Sequence, residues 1–396
     1  MKLKLNVPKL VLLVALLIIG YLNITAMLWE GSGNSVLVSL GMLVVAGFGV
    51  FFLISKPIPK KSISLLLILY YLYIIIVSVF NGYISVFAGE ITMIVTCAYW
   101  VFNFLVFAEC GQRKVIDNKK ISVLFFVLSL VCFALFWRYY STNKTQTLQL
   151  TGLNVVYYFL FMLPIVLMNR NKKVIGIGIV INVFAVLLSS KRGALIIVLA
   201  ALLIWLLTEF SGKLSVKTIF KMIGYVVISL IAITVIGKIV DQMGLDILNR
   251  MEGFISGDDS GGSGRTDIWT AYWEHMRQDD ILHNLFGRGY NATKLNPTLK
   301  NLGLSWAHND FLQILFDYGI VGFTIFLIFI AKLFAVARKM RKFHYPYYRQ
   351  FLVSLVIFLL SCAYSMVMSY PQWFPTMAAF WGFVIGDFER ERAVSS

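Results

Sequence analysis

The sequence predicts an all-α polytopic membrane protein with about twelve transmembrane helices and one large loop on the outer face. Composition is the first observation behind this prediction. Hydrophobic residues make up 59% of the 396-residue chain and charged residues only 14%, and the mean hydropathy is +0.80. A water-soluble domain of this composition lacks the polar surface to cover its core, so the bilayer must solvate most of the chain.

Apolar segments long enough to cross a bilayer recur along the whole chain, which is the second observation. A spanning helix needs about 20 predominantly apolar residues. Segments that meet this requirement lie at 10–29, 35–54, 63–80, 84–108, 121–138, 152–168, 174–190, 193–209, 217–237, 309–334, 350–369 and 372–387. The first has no small-residue cleavage site after it, so we expect it to be retained as a helix.

Basic residues indicate the orientation of these spans. Most of the 35 lysines and arginines fall in loops that share a side with the N-terminus. Positively charged loops stay in the cytoplasm, so both termini of this multi-pass chain are predicted to be cytoplasmic. The net charge of +16 is therefore explained by topology. We expect no nucleic-acid binding.

One connection, residues 240–307, is far longer than the turns that packed helices need. It divides the chain into helices at 1–239, a long loop on the outer face at 240–307, and helices with a cytoplasmic C-terminus at 308–396. Within the loop, the sequence from Arg265 to Leu282 predicts a helix with Tyr272 and Met276 on one side. Its tryptophans suit a helix that lies at the bilayer interface.

Two adjacent cations, Lys191 and Arg192, occupy a tight turn on the outer face, against the general charge bias. One interpretation is that both side chains snorkel to lipid phosphates. The other is an anion-binding site, since arginine holds phosphate oxygens in pairs and Gly193 permits close approach of a ligand. The sequence leaves both interpretations open.

Two arginines of the long loop have unusual neighbours. Arg265 stands at the start of the predicted loop helix, where it is close to the positive end of the helix dipole. Arg288 lies between two glycines, where no neighbouring side chain crowds the approach of a ligand. Either arginine is also compatible with an ordinary solvated position.

His308 lies where the long loop returns to the membrane. Its ordinary pKa near 6.5 suits a general base, although a lone histidine is more often structural. Asp310 and Asp317 follow at or inside a span, where acidic residues need partners. They are candidates to orient the histidine or to pair with the arginines. Glu90 is a further acid inside a span, with no partner that the sequence identifies.

No metal or cofactor site is expected. Histidine and cysteine do not cluster at ligand spacing, and Asp258 and Asp259 lie in a glycine-rich segment that would hold an ion poorly. No glycine-rich nucleotide-binding loop occurs. The cysteines are predicted to be small core residues without disulfides; they are Cys97, Cys110, Cys132 and Cys362.

Four short motifs occur in one order around the long loop. They are Ser-x-x-Arg-Gly-Ala from Ser189, Gly-Arg-x-x-x-Trp from Gly264, Gly-x-Gly-Tyr-Asn from Gly287, and His-Asn-x-x-Leu-x-x-x-x-x-x-Gly-x-x-Gly from His308. In this combination the chain resembles the O-antigen polymerase and O-antigen ligase superfamily of bacterial envelope glycosyltransferases. The motifs cover about a third of the chain, and the remainder agrees in the number and topology of its spans.

The resemblance implies a GT-C-like fold in the bacterial inner membrane, with the active site on the periplasmic side. It implies transfer of a glycan from undecaprenyl diphosphate to an acceptor hydroxyl, with inversion and without a metal. His308 would be the general base, and Arg192 and Arg265 would hold the diphosphate. Further substrate-binding residues within or beside the motifs would be Lys191, Arg288, Tyr290, Asn309 and Asp310. Arg288 matches least firmly, because the family often has another residue between those glycines.

Three activities remain open at this point. A polymerase adds the chain to a new lipid-linked repeat unit, with a chain-length-regulating protein as a possible partner. A ligase passes it to the lipid A core. The residues from His308 to Gln313 look more like the polymerase branch. A lipid-linked oligosaccharide flippase or transporter fits the number of spans but not the long loop with its arginines and histidine.

Overall fold

A computed structural model describes residues 6–28, 36–55, 62–81, 87–142, 154–189, 191–210, 265–295, 306–368 and 373–395. These residues form helices, turns and short connections, with no β-strand among them. The helices before the long loop are α1 (Val7–Met27), α2 (Val36–Ile54), α3 (Ser62–Phe80), α4 (Phe87–Gln112), α5 (Asn118–Thr142), α6 (Val156–Val166), α7 (Lys172–Leu188) and α8 (Arg192–Phe210).

Three short helices lie within the described part of the loop, and three longer ones follow it. They are α9 (Arg265–Gln278), α10 (Ile281–Phe286), α11 (Ala292–Leu295), α12 (Asp310–Lys342), α13 (Tyr348–Tyr364) and α14 (Phe374–Ser395). Every predicted span overlaps a helix except 217–237, which lies outside the described residues together with the glycine-rich segment 257–264.

The described helices fit a membrane-embedded protein. Five of them are long and apolar enough to cross a bilayer by length and composition. Large apolar side chains also stand exposed along the early helices, among them Leu17 at 64%, Leu37 at 80% and Phe51 at 60%. Such surfaces are unfavourable in water and favourable against lipid tails.

The centre of the bundle is closely packed. Every residue of α6 is buried. Helices α4 and α14 pack backbone to backbone, because Gly382 and Gly386 of α14 face the carbonyl oxygens of Phe104 and Ala108. A Cβ atom at Gly386 would lie 2.0 Å from the Ala108 oxygen. Small residues four apart allow this approach, as in many helix pairs within membranes.

Helix α12 is kinked one-third of the way along. Gly319 has φ 62 and ψ −173, so the chain leaves helical geometry there, although the sequence predicted one continuous span. The kink admits the turn at Gly287, since a Cβ on Gly319 would lie 2.5 Å from the Gly287 nitrogen. The first turns of α12 are therefore a short platform against which the long loop folds.

The predicted loop helix is confirmed at its start and is shorter than predicted at its end. Helix α9 ends at Gln278, and Asp280 caps a second helix by accepting a hydrogen bond from the His283 amide. Tyr272 and Met276 are buried against Leu312 and Phe316 of α12, on the side that the spacing indicated. This packing attaches α9 to the platform. The three cysteines whose side chains are described are buried, as predicted for small core residues, and none of them forms a disulfide within the described part of the chain.

Candidate active site

The segments that carry the motifs meet at one end of the bundle. The guanidinium of Arg265, at the start of α9, donates a hydrogen bond of 2.9 Å to the carbonyl oxygen of Tyr364 at the end of α13. A Cβ on Gly193, in the first turn of α8, would lie 3.3 Å from the Tyr364 Cβ. Asp310 begins α12 and accepts hydrogen bonds from the amides of Val367 and Met368, at 2.7 and 3.0 Å. Residues far apart in sequence thus surround a common position.

His308 lies at this position with its side chain open to solvent. Partial burial, followed by the positive charges of Arg265 and Lys191, lowers the pKa of His308 below its ordinary value of 6.5. The imidazole is therefore neutral at neutral pH and able to accept a proton. The two cations are those that the sequence singled out on separate segments, and the structure brings both to the histidine.

The backbone of His308 is itself unusual. Its φ is 50, a left-handed conformation that costs a residue with a side chain roughly 1–2 kcal/mol. Such strain persists only where the surroundings impose it, and it is common at functional sites. Here Asn309 caps α12 by accepting a hydrogen bond from the Leu312 amide, which sets the chain direction just after the histidine.

The remaining residues of the outer turn are only partly defined. Lys191 is half-buried, and its carbonyl oxygen accepts the first hydrogen bond of α8 from the Leu195 amide. Helix α8 begins at Arg192, whose side chain lies outside the described residues. Contact of Arg192 with a diphosphate therefore stays a prediction. The Glu90 side chain also lies outside the described residues.

The structure gives Arg288 a different role from the one predicted. Its side chain is 4% exposed and pairs with Asp279 at 2.7 Å. The same guanidinium donates hydrogen bonds to the Phe316 carbonyl and the Asn284 side chain and stacks on the Phe316 ring. The flanking glycines, which suggested an open approach, instead allow a turn with positive φ that buries the arginine. Arg288 attaches the loop to α12 rather than facing a substrate.

Tyr290, Asn309 and Asp310 were also predicted to bind substrate, and two of them are buried. Tyr290 is 5% exposed, with its amide donating to the Ser78 hydroxyl. Asp310 is fully buried and positions the segment after α13 through the two amides that it binds. Asn309 is partly exposed, so its contact with substrate remains a prediction alongside its capping role.

Asp317, which the sequence suggested as a partner of His308 or of an arginine, organises the turn after Arg288. Its carboxylate accepts hydrogen bonds from the amides of Asn291 and Ala292, at 3.2 and 3.3 Å. Its carbonyl oxygen accepts from the amides of Arg288 and Gly289. Asp317 thus neither orients His308 nor faces the cations of the site directly; it holds the loop on the platform.

Gln313 is a central residue that the sequence analysis missed. Its amide oxygen accepts from the Tyr272 hydroxyl at 2.9 Å and from the Ala307 amide at 3.1 Å, and its nitrogen donates to Asp317 at 2.9 Å. Ala307 precedes His308 and also accepts a hydrogen bond from the Trp269 indole. A signal existed, since Asp310, Gln313 and Asp317 share one face at the start of a span, where polar residues need partners.

One group of described residues has the spacing of metal ligands, namely Asp279, Asp280 and His283. The structure accounts for it without an ion. Asp279 pairs with Arg288, and Asp280 caps α10. Burial raises the pKa of Asp279, but the Asp280 amide and Arg288 outweigh it and lower that pKa overall. The group stabilises the loop.

Part of the chain matches a known protein family. Residues 177–327 match a family described as O-antigen ligase. The matched segment contains the outer turn, α9, His308 and both glycines of α12, and it confirms the resemblance to the O-antigen polymerase and ligase superfamily. No curated protein matches the chain. The site therefore lies in the segment that matches this family, in a chain whose described helices fit a membrane-embedded protein.

Proposed function

We propose that this protein is a glycosyltransferase of the bacterial inner membrane that transfers a glycan from undecaprenyl diphosphate to an acceptor hydroxyl on the periplasmic side. The observation that supports the proposal most is the position of His308. It lies beside the positively charged side chains of Arg265 and Lys191, inside the segment that matches the O-antigen ligase family. The reaction needs a neutral base to accept the proton of the acceptor hydroxyl and positive charge to stabilise the leaving diphosphate. His308 and the two cations supply both.

In the proposed step, the acceptor hydroxyl gives its proton to the imidazole of His308. The hydroxyl oxygen attacks the anomeric carbon from the face opposite the diphosphate, so the configuration inverts. The bond from that carbon to the diphosphate oxygen breaks, and the diphosphate leaves with the electron pair. Arg265 and Lys191 stabilise the charge that develops on it, because preorganised cations act strongly in a site of low dielectric constant. General-base catalysis contributes typically 10²–10⁴-fold.

We further propose that the acceptor is a new lipid-linked repeat unit, which makes the protein an O-antigen polymerase. The support is the likeness of residues 308–313 to the polymerase branch. Ligation to the lipid A core is the second candidate, and the description of the matched family favours it. Asp310 does not separate the two activities, since two backbone amides occupy its carboxylate.

Complementation of a strain that lacks the gene tests the assignment. Deletion of a polymerase leaves core capped with one repeat unit, whereas deletion of a ligase leaves bare core and accumulates lipid-linked polymer. His308→Ala is expected to abolish long-chain glycan while its protein level and membrane insertion match the wild type. His283→Ala is the matched control, because His283 lies in the same loop and pairs with Asp279 and Asp280 away from the site. Normal long-chain glycan with His308→Ala would contradict the proposal.

Reconstitution distinguishes transfer from transport. Purified protein in liposomes that contain a lipid-linked repeat unit is expected to join units into longer chains. Movement of the lipid-linked sugar across the bilayer, without the joining of two units, would instead support a flippase.

A further inference from the structure

A cavity lies at the end of the bundle opposite His308. Its volume is about 1150 Å³, and it opens where α7 begins, α12 ends and α13 begins. These helix ends are the ones that the basic residues place in the cytoplasm. The cavity, named here the basic cavity, is lined by six cationic side chains: Arg170, Lys172, Arg338, Arg341, Lys342 and Arg349.

The charge of the basic cavity is one-sided. No aspartate or glutamate is among the described residues that line it. Two other basic residues at this end of the bundle pair with carboxylates, Arg113 with Glu109 and Arg390 with Asp387. Six cations around one concave volume repel each other unless an anion lies between them. The volume is sufficient for more than a single small ion.

Polar and aromatic groups add to the cations. Asn169 is 6% exposed and lines the cavity, and its amide nitrogen has no hydrogen-bond acceptor among the described residues. The amide orientation is set, because its oxygen already accepts from the Asn171 backbone. Tyr348 also lines the cavity. A ligand with several acceptor oxygens matches these donors and the guanidinium groups, which bind phosphate in pairs.

One wall of the basic cavity is apolar. Ile175 and Ile179 of α7 and Trp205 of α8 line it, all partly exposed, on helices that run into the apolar body of the bundle. A soluble phosphate compound without an apolar part makes no favourable contact with this wall, whereas the acyl chains of a lipid pack along it. Basic pockets between transmembrane helices on the cytoplasmic side are suited to the head groups of anionic lipids.

We propose that the basic cavity binds the head group of an anionic phospholipid, with its phosphates between the arginines and its acyl chains against Ile175, Ile179 and Trp205. This site is separate from the glycosyl-transfer site and does not depend on the proposed activity. A lipid with two phosphates is expected to bind more tightly than one with a single phosphate, because the cations outnumber the charge of one phosphate.

Native mass spectrometry of the detergent-purified full chain measures this binding. The probes are diphosphatidylglycerol, phosphatidylglycerol and phosphatidylcholine, each added to delipidated protein. The wild type is expected to bind diphosphatidylglycerol at least tenfold more tightly than phosphatidylcholine. Equal affinity for the two lipids on the unmodified protein would overturn the proposal without recourse to any variant.

Two triple variants locate the site. Arg338→Gln/Arg341→Gln/Lys342→Gln removes three charges that line the cavity, and Lys119→Gln/Lys173→Gln/Lys339→Gln removes three basic residues at the same end that do not line it. Each lining cation is worth about fivefold in affinity, so the first variant is expected to bind diphosphatidylglycerol more than tenfold more weakly. The control variant is expected to stay within about twofold of the wild type, which is well below one lining charge.

The outcomes separate the occupants. Equal losses in both triple variants would show a diffuse attraction to the basic surface and contradict the proposal. A second contrary result is that the protein binds inorganic pyrophosphate as tightly as it binds diphosphatidylglycerol, so that millimolar pyrophosphate displaces the bound lipid. That result would show a site for soluble phosphates and would also contradict the proposal. If the lining triple variant does not fold, Arg338→Gln and Lys342→Gln are measured singly, and each must weaken binding more than Lys339→Gln does.

Discussion

The guanidinium of Arg265 donates a hydrogen bond of 2.9 Å to the carbonyl oxygen of Tyr364, which joins the first residue of α9 to the last turn of α13. This contact holds a loop cation against the membrane bundle beside His308. The remaining donors of the guanidinium are therefore presented from a defined position. The indole of Trp269 and the packing of Tyr272 and Met276 hold the rest of α9 on the platform.

The first prediction concerns the geometry of Arg265. Arg265→Lys keeps the charge but loses the planar group that bonds Tyr364 and a phosphate together, so transfer is expected to fall. Arg265→Gln loses the charge as well. Its transfer rate is expected to fall further, by about 10²-fold or more, as for removal of one transition-state donor. Glycan formation from a purified lipid-linked repeat unit gives the rates. Arg277→Gln on the same helix is the control, and equal losses in all three variants would argue against a role for Arg265 in the reaction.

The second prediction concerns pH. A base acts in its neutral form, so kcat/KM falls as the pH drops through the pKa of His308. Burial and the charges of Arg265 and Lys191 lower that pKa, so the acid limb of the wild-type profile is expected to lie below pH 6.5. Lys191→Gln removes one charge and is expected to move the acid limb upward. Profiles of kcat/KM from about pH 5 to 8 check the sign; a limb that stays in place or moves down would refute the placement of Lys191 beside the histidine.

The helices and the site residues differ in how far the sequence could predict them. The helices follow from apolar segments of sufficient length, and the buried face of α9 follows from the spacing of Tyr272 and Met276. The end of α9 was also accessible in principle, because Asp280 is a favourable capping residue. The predicted helix nevertheless ran past Asp280 to Leu282.

The arginines show where local sequence stops being informative. Arg265 and Arg288 both have glycine neighbours, and both suggested phosphate contact. One reaches His308, while the other is buried between Asp279 and Phe316. The difference comes from which part of α12 each segment packs on, and that depends on contacts across the whole loop. The partners of Asp317 are backbone amides, which no residue pattern identifies.

The third prediction treats Gln313 as a positioning residue. Gln313→Leu leaves the Tyr272 hydroxyl, the Ala307 amide and one bond of Asp317 without their partner, at about 1–3 kcal/mol for each group that stays buried. The protein is expected to unfold at lower temperature. Because Ala307 precedes His308, kcat is also expected to fall by on the order of 10²-fold, as for a misplacement of about 1 Å.

The control for Gln313 is Thr324→Val on the same helix, since Thr324 is exposed and bonds only within its own helix. Rates for both variants are measured at a temperature where each is fully folded. A Gln313→Leu protein that melts early yet keeps the wild-type kcat would show a purely structural role.

The fourth prediction concerns the kink of α12. A Cβ on Gly319 would lie 2.5 Å from the Gly287 nitrogen and the Leu285 carbonyl oxygen, and φ 62 disfavours any side chain there. Gly319→Ala is therefore expected to cost about 1–2 kcal/mol for the conformation alone, with the clash in addition. The loop must move off the platform to relieve it, so activity is expected to fall with stability. Gly20→Ala is the control, because a Cβ there meets nothing within 4 Å and alanine favours the helix. Thermal unfolding in detergent compares the two variants; similar unfolding temperatures would mean that the contact between Gly319 and Gly287 does not hold the loop in place.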